Sequence, residues 1–96
     1  MATFRADIPP HVAEVIRPLP PDLKRSVTAA LQALGHDPDL GEPLQRELQG
    51  LWKYRVRRFR IVYAVDRARR LIRLFGAGPR REIYEAVATE LVRPRA

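Results

Sequence analysis

The stretch that decides the fold spans residues 51–66 and reads Leu-Trp-Lys-Tyr-Arg-Val-Arg-Arg-Phe-Arg-Ile-Val-Tyr-Ala-Val-Asp. Apolar side chains alternate along it with basic or small ones, which is the two-residue period of a half-buried strand. The apolar set consists of Trp52, Tyr54, Val56, Phe59, Ile61, Tyr63 and Val65. The alternating set consists of Lys53, Arg55, Arg57, Arg58, Arg60, Val62 and Ala64. The pattern predicts two adjacent strands with one apolar face and one face that carries fixed positive charge.

The segments after this stretch extend the sheet and end in a helix. Residues 66–70 predict a turn, residues 71–75 a third strand, and Gly-Ala-Gly-Pro at 76–79 the end of that strand. Ile83, Val87 and Leu91 then recur at helical spacing, with Tyr84 beside them. We therefore expect a short C-terminal helix.

The N-terminal half predicts one more strand and two helices. Residues 2–8 alternate weakly before Pro9-Pro10, which indicates a short first strand. Two apolar stripes at helical spacing follow, formed by Val12, Val15, Ile16 and Leu19 and then by Leu23, Val27, Leu31 and Leu34. Pro21 suits the first turn of the second helix and Gly35 its C-terminal cap. The two helices predict a hairpin that covers one face of the sheet, and residues 36–43 predict a loop because turn formers dominate them.

Length and composition limit the class of protein. The 96 residues, 46% of them hydrophobic, predict a single domain over residues 1–96 with one core. No apolar run approaches the ~20 residues of a membrane span, and no signal-peptide core is present, so we expect a cytoplasmic protein without a membrane partner. The chain has no cysteine, and its two histidines, His11 and His36, lie far apart. We therefore predict no metal and no other cofactor.

The charge is concentrated in the sheet half. The net charge is +7, but residues 1–49 hold five Arg/Lys and seven Asp/Glu, whereas residues 50–96 hold thirteen and four. Arginine outnumbers lysine sixteen to two, which codon bias in a GC-rich genome explains, but such bias does not explain the asymmetry between the halves. A basic face with interleaved aromatic residues favours a polyanion, most commonly nucleic acid, over a simply solvated surface.

The sequence resembles the RelE/ParE superfamily of toxins from bacterial type II toxin–antitoxin systems. The resemblance rests on Gly-Glu-Pro-Leu at 41–44, Leu-Gln-Gly-Leu-Trp-Lys-Tyr-Arg-Val at 48–56 and Gly-Pro-Arg-Arg-Glu-Ile-Tyr at 78–84. The most specific piece is Phe-Arg-Ile-Val-Tyr-Ala-Val-Asp at 59–66, which is similar to a characteristic strand of the family. The resemblance implies an α+β fold, with a small, twisted, mostly antiparallel four-stranded sheet, the helical hairpin on one face and a short C-terminal helix.

The two branches of the superfamily imply different activities. RelE-like members are endoribonucleases that cut messenger RNA in the ribosomal A site with basic side chains and a tyrosine, whereas ParE-like members poison DNA gyrase and generally lack that set. The residues that match the nuclease set are Lys53, Arg55, Arg60, Arg80, Arg81 and Tyr84. Many relatives carry His-Arg or Lys-Arg where this chain has Pro79-Arg80, so Arg80 and Arg81 are alternatives for the catalytic arginine.

The chemistry of RNA cleavage assigns roles to these residue types. Attack by the 2′-hydroxyl needs a base, cations that stabilise the phosphorane and an acid for the leaving 5′-oxygen. Arginine suits the second role because its planar fork bonds phosphate oxygens in pairs, but it is a poor base. The base is therefore Lys53, which we rank first, or Glu42, Glu82 or a group on the ribosome. The residues expected to bind RNA non-specifically are Arg57 and Arg58, at a strand turn, and Arg73.

The aromatic residues also have structural interpretations. Trp52 and Tyr63 alternate with the apolar set, so we expect them in the core rather than stacked on bases. The sequence leaves two interpretations of Tyr84 open: it packs beside Ile83 and Val87, or it belongs to the site.

Three functional hypotheses follow. The first, which Tyr84 and the arginines favour, is a ribosome-dependent, metal-independent endoribonuclease toxin whose partners are the ribosome and mRNA. The second is a gyrase inhibitor of ParE type, and the third is a non-toxic binding module of the same fold. Either toxin implies a small cognate antitoxin with an acidic C-terminal segment, which covers the basic face in a hetero-oligomer.

Overall fold

The computed structural model describes residues 3–79 and 82–92, which form five strands and three helices. In chain order these are β1 (Arg5–Asp7), α1 (Pro10–Ile16), α2 (Pro21–His36), β2 (Glu42–Pro43), β3 (Trp52–Val56), β4 (Phe59–Asp66), β5 (Leu71–Gly78) and α3 (Glu82–Val92). Short 3-10 turns at Pro38–Leu40 and Arg46–Leu48 flank β2. Among the described residues, no helix is both long and apolar enough to cross a membrane.

The sheet has the strand order β1-β5-β4-β3-β2. β1 pairs parallel with β5, and the other three neighbouring pairs are antiparallel. The predicted α+β fold with a mostly antiparallel sheet, a helical hairpin and a C-terminal helix is confirmed, but the sheet has five strands rather than four. The additional strand, β2, lies in the predicted loop. Two residues are too few to show an alternating pattern, so β2 exists only through its pairing with β3.

The main core lies between the helical hairpin and one face of the sheet. Its buried residues are Val12, Val27, Ala30, Leu34, Val56, Phe59, Ile61, Tyr63, Ile72, Leu74 and Ala77. Those on β3 and β4 belong to the apolar set that the sequence pattern predicts, and Trp52, Tyr54 and Val65 pack against the same cluster. The period-2 alternation therefore assigned this face of both strands correctly.

Gly35 does not cap α2 as predicted. The helix includes Gly35 and ends at His36, with Asp37 as the C-cap residue. The Gly35 carbonyl accepts a hydrogen bond of 2.8 Å from the backbone N–H of Phe4. A Cβ atom at position 35 would lie 2.7 Å from the Phe4 carbonyl oxygen. Glycine is therefore required here because the chain just before β1 passes very close to the helix.

The opposite face of the sheet is less uniformly basic than predicted, because α3 builds a second apolar cluster on it. Leu51, Val62 and Val87 are buried there, and the residues packed around them are Leu44, Leu48, Ala64, Phe75, Ile83 and Tyr84. Helix α3 approaches closely at Gly76, where a Cβ would lie 2.6 Å from Cγ2 of Val87. The prediction grouped Val62 and Ala64 with the arginines by alternation alone. Their apolar side chains instead support α3, and positive charge is left at one end of this face.

Candidate active site

A pair of arginines faces each other across the two central strands. Arg55 of β3 and Arg60 of β4 are direct partners in the antiparallel register. Side chains at such positions have Cβ atoms about 4.5–5.5 Å apart, and like charges placed opposite each other destabilise a sheet. An anion bound between the two guanidinium groups would remove that repulsion. The register thus places two cations side by side at one position of the sheet.

A cleft of about 400 Å³ opens beside this pair. It is lined by Leu40, Gly41, Glu42, Lys53, Tyr54, Arg55, Arg60 and Tyr84. Of the residues predicted to be catalytic, Lys53, Arg55, Arg60 and Tyr84 are therefore brought together, although they come from two strands and a helix. Its polar lining combines three cations, one carboxylate and two phenol groups.

Lys53 lies between an acidic and an aromatic neighbour. Its Nζ atom is 3.9 Å from Oε2 of Glu42, which faces Lys53 in the β2–β3 register. The same Nζ atom lies 6.0 Å from the centre of the Tyr84 ring. The side chains of Lys53 and Glu42 are 40% and 79% exposed. An ion pair with this much exposure to solvent contributes at most about 1 kcal/mol to stability. The pair is accessible to a ligand in the cleft.

Both arginines are oriented by backbone carbonyl groups. Nη1 of Arg60 donates a hydrogen bond of 3.0 Å to the carbonyl oxygen of Pro79, the residue that follows β5. Nε of Arg55 donates one of 3.1 Å to the carbonyl oxygen of Arg57 in the β3–β4 turn. Arg60 thus also connects β4 to the start of the segment that leads into α3.

The other predicted residues lie elsewhere or outside the described part of the chain. Arg57 and Arg58 form the exposed two-residue turn between β3 and β4, as predicted. Arg73 pairs in register with Ala64, four positions along β4 from Arg60, which corresponds to about 13 Å. Its Nη2 atom lies 3.9 Å from Oδ2 of Asp66, away from the cleft. Arg80 and Arg81, and the side chain of Glu82, lie outside the described residues.

Leu40, Gly41 and Tyr54 are cleft residues that the sequence did not identify. Leu40 is 46% exposed and lies on the wall that leads to β2. Tyr54 belongs to the apolar set, and its alternation correctly indicated packing against the main core. Of these three residues, only Gly41 could be noticed in the sequence, because a glycine in a turn-rich segment indicates that another part of the chain passes close to its backbone. That signal does not identify the partner.

Tyr63 supports the cleft from the core side. It is fully buried, and its ring stacks on Trp52 with ring centres 6.3 Å apart, which confirms the core interpretation of both residues. Its hydroxyl donates a hydrogen bond of 2.8 Å to the carbonyl oxygen of Pro38 and accepts one of 3.2 Å from the N–H of Gly41. Burial raises the pKa of Tyr63 to about 12, because an ionised phenol would lose its hydration.

The described residues offer cations and hydrogen-bond donors rather than metal ligands. No group of three or more His, Cys, Asp or Glu side chains within residues 3–79 and 82–92 is arranged to hold a metal ion. Arginine side chains bind phosphate groups bidentately, and lysine and glutamate are residue types that serve in general acid–base catalysis. The arrangement suits an anionic group such as a phosphodiester.

The comparisons with known proteins agree with this architecture. A family model described as the ParE toxin of the type II toxin–antitoxin system, parDE, matches residues 6–84. No curated protein sequence matches the chain. The toxin–antitoxin complex RelBE2 of Mycobacterium tuberculosis contains a similar structure, with a TM-score of 0.75 and 23% identity over 83% of this chain and 94% of that one.

Two further solved structures are similar. One is a mutant of the E. coli toxin RelE in the free state, with a TM-score of 0.75 and 19% identity, covering 97% of this chain and 100% of that one. The other is the archaeal RelE–RelB complex of Pyrococcus horikoshii, with a TM-score of 0.68 and 22% identity, covering 82% and 97%. At these identities the similarity concerns the fold.

Proposed function

The chain belongs to the RelE/ParE superfamily as a toxin of a type II toxin–antitoxin system, and we propose that it is an endoribonuclease that cuts messenger RNA on the ribosome. The observation that carries this proposal is the cross-strand pair Arg55 and Arg60 in one cleft with Lys53, Glu42 and Tyr84. Two arginines at facing positions supply cations for a phosphodiester, and the neighbouring Lys53 and Glu42 are residue types that serve in general acid–base catalysis. Cleavage of mRNA inhibits translation, and the ribosomal target implies a cytoplasmic site of action.

The reaction needs no group beyond RNA and the protein. The 2′-hydroxyl oxygen attacks the adjacent phosphorus, a P–O bond forms, and the bond to the 5′-oxygen of the next nucleotide breaks. A base takes the 2′-hydroxyl proton, and an acid gives a proton to the departing 5′-oxygen, which leaves a 2′,3′-cyclic phosphate and a 5′-hydroxyl. Arg55 and Arg60 bind the non-bridging oxygens, whose negative charge grows in the transition state.

The base is assigned to the pair of Lys53 and Glu42. Lys53 remains the first candidate, and the Glu42 carboxylate, whose Oε2 atom lies 3.9 Å from Nζ of Lys53, is the alternative base. Glu82 and a ribosomal group are the other candidates. Arg80 or Arg81, which follow the Pro79 residue that Arg60 contacts, is proposed as the further catalytic cation. Tyr84, on α3 over the cleft, is proposed to contact the bound nucleotide.

The proposed partners follow from charge and from the relatives. Residues 50–96 hold thirteen Arg/Lys against four Asp/Glu, so this half binds nucleic acid indiscriminately unless it is covered. The similar structures from M. tuberculosis and P. horikoshii are toxin–antitoxin and RelE–RelB complexes. We therefore expect a small cognate antitoxin whose acidic C-terminal segment covers the cleft in a hetero-oligomer.

A gyrase inhibitor is the second candidate, and the family model favours it because that model describes a ParE toxin. In that case the arginine pair would contact protein carboxylates or DNA without cleaving anything. A non-toxic binding module of the same fold would show neither translation-dependent nor gyrase-dependent effects.

The test is cleavage of mRNA on purified ribosomes by the parent chain and by Arg60→Ala. Loss of one preorganised donor to a developing oxyanion typically costs about 10²–10³ in rate, so Arg60→Ala is expected to abolish growth inhibition. Arg81→Ala is expected to do the same, or Arg80→Ala in its place if Arg80 is the catalytic arginine. The matched control is Arg69→Ala, in the exposed β4–β5 turn, which is expected to cut RNA almost like the parent. Circular dichroism and antitoxin binding check that each variant is folded. If Arg60→Ala cleaves like the parent, the enzyme proposal is wrong, and inhibition of gyrase supercoiling is the next assay.

A further inference from the structure

The Tyr63 hydroxyl is a buried polar group that has no part in the cleavage reaction. Its ring packs on the helix-covered face of the sheet, whereas its oxygen reaches the segment between α2 and β2. That segment leads directly into one wall of the cleft, formed by Leu40, Gly41 and Glu42. The Tyr63 hydroxyl therefore connects the main core to this wall of the cleft.

Gly41 is enclosed at this junction. A Cβ at position 41 would lie 2.4 Å from the Tyr63 hydroxyl oxygen and 2.5 Å from the Lys53 carbonyl oxygen. The backbone of Gly41 is therefore pressed between Tyr63 and β3. Glu42, the next residue, is thereby aligned with Lys53 in the two-residue strand β2. Because β2 is so short, its own pairing gives it little rigidity, and this contact adds a constraint on its position.

A second attachment of the same segment is weaker. Nη2 of Arg67 lies 2.6 Å from Oδ1 of Asp39, but these side chains are 59% and 58% exposed. Exposed ion pairs contribute about 0–1 kcal/mol because water screens them and both side chains lose freedom. The Tyr63 hydroxyl, with two hydrogen bonds in a fully buried position, is the stronger constraint.

We propose that Tyr63 is a positioning residue, whose hydroxyl holds Gly41 and Glu42 in place so that Glu42 stays opposite Lys53 in the cleft. The proposal rests on the RNA cleavage proposed above. Tyr63 itself does not contact RNA. It acts through Glu42, because a displacement of about 1 Å in a catalytic group can cost roughly 10²-fold in rate.

The variant that tests this is Tyr63→Phe, which keeps the ring and its stacking on Trp52 and removes only the two hydrogen bonds. We expect kcat for mRNA cleavage on ribosomes to fall about 10- to 100-fold while KM changes less than about twofold, because Arg55 and Arg60 still bind the phosphate. The matched control is Val27→Ala, which destabilises the same core from α2 and is expected to leave kcat within about twofold. In a Glu42→Gln background, adding Tyr63→Phe is expected to change kcat by less than about twofold.

A second readout does not depend on catalysis. Hydrogen exchange of the Gly41 amide is expected to accelerate in Tyr63→Phe and to remain slow in Val27→Ala, relative to amides in β4. A parent-like kcat in Tyr63→Phe, or an equal loss with and without Glu42, overturns the positioning role and leaves the proposed function intact. If the parent chain does not cut RNA at all, the proposed function is wrong and the catalytic part of this inference falls with it. Unchanged exchange at Gly41 overturns the structural part.

Discussion

The two faces of strands β3 and β4 differ in where their polar groups lie, because one face is buried and the other borders an open cleft. On the helix-covered face the side chains are aliphatic or aromatic, and the hydroxyl of the fully buried Tyr63 is hydrogen-bonded. On the other face, Arg55 and Arg60 lie directly opposite each other beside an open cleft. The first arrangement stabilises the fold, whereas like charges at facing positions cost stability. Substitutions on the two faces should therefore affect different measurements.

The largest effect is expected on the helix-covered face. Phe59 is 1% exposed at the start of β4, and replacing a buried phenylalanine by alanine costs about 3–5 kcal/mol through lost burial and the cavity left behind. We expect Phe59→Ala to lower the urea midpoint sharply or to leave the chain unfolded. Its neighbour Arg58, exposed in the turn, provides the control. The free energy of unfolding of Arg58→Ala should lie within about 0.5 kcal/mol of the parent value. Similar midpoints for the two variants would contradict the comparison between the faces.

The opposite pattern is expected for Arg55→Gln. Removing one charge of the cross-strand pair should leave the free energy of unfolding unchanged or raise it by up to about 1 kcal/mol, while the rate of RNA cleavage falls about 10²–10³-fold. Denaturation and ribosome cleavage assays measure the two quantities on the same preparation. Arg69→Gln removes an exposed arginine in the β4–β5 turn and should change neither. A large loss of stability in Arg55→Gln would mean that the arginine has a structural role.

The helix-covered face could be predicted from the sequence because burial enforces a strict period. Each inward position of β3 and β4 must be apolar, so Trp52 to Val65 reveals both strands and their orientation. The same period located Lys53, Arg55 and Arg60 on the other face. It failed at Val62 and Ala64, because alternation assigns a face without saying what packs against it.

The wall of the cleft could not be predicted in this way. β2 has two residues, and the residue before it, Gly41, donates a hydrogen bond to Tyr63, 22 residues later in the chain. Such a contact leaves no periodic trace in either segment. Gly35 gave a misleading signal for a related reason, because its role is the close approach of Phe4 and not the end of a helix.

The buried phenol of Tyr63 predicts a dependence of stability on pH. Its pKa rises from 10.0 to about 12 on folding because burial removes the hydration of the charged form. Between these values the unfolded chain loses the proton and the folded chain keeps it, so stability is complete below pH 10 and falls as the pH rises toward 12. The loss amounts to about 2–3 kcal/mol. Denaturation of the parent and of Tyr63→Phe between pH 9 and about 12 measures it, and equal slopes for both chains would refute it.

The smallest effect is expected at the turn that joins the two faces. Arg57 has φ of 57°, in the left-handed region, where a side chain costs about 1–2 kcal/mol relative to glycine. Replacing Arg57 by glycine removes this cost, but part of the gain is offset by the greater flexibility of glycine in the unfolded chain. Arg57→Gly should therefore raise the free energy of unfolding by about 0.5 kcal/mol. Arg58→Gly is the matched control, because it removes the same charge from the same turn without relieving a positive φ, and it should destabilise the fold.

If Arg57 contacts RNA as proposed, its loss should also reduce the magnitude of the slope of log affinity against log salt by about 0.7. Equal stability changes in the two variants would show that the backbone is unstrained, and an unchanged salt slope would remove Arg57 from the RNA-binding surface.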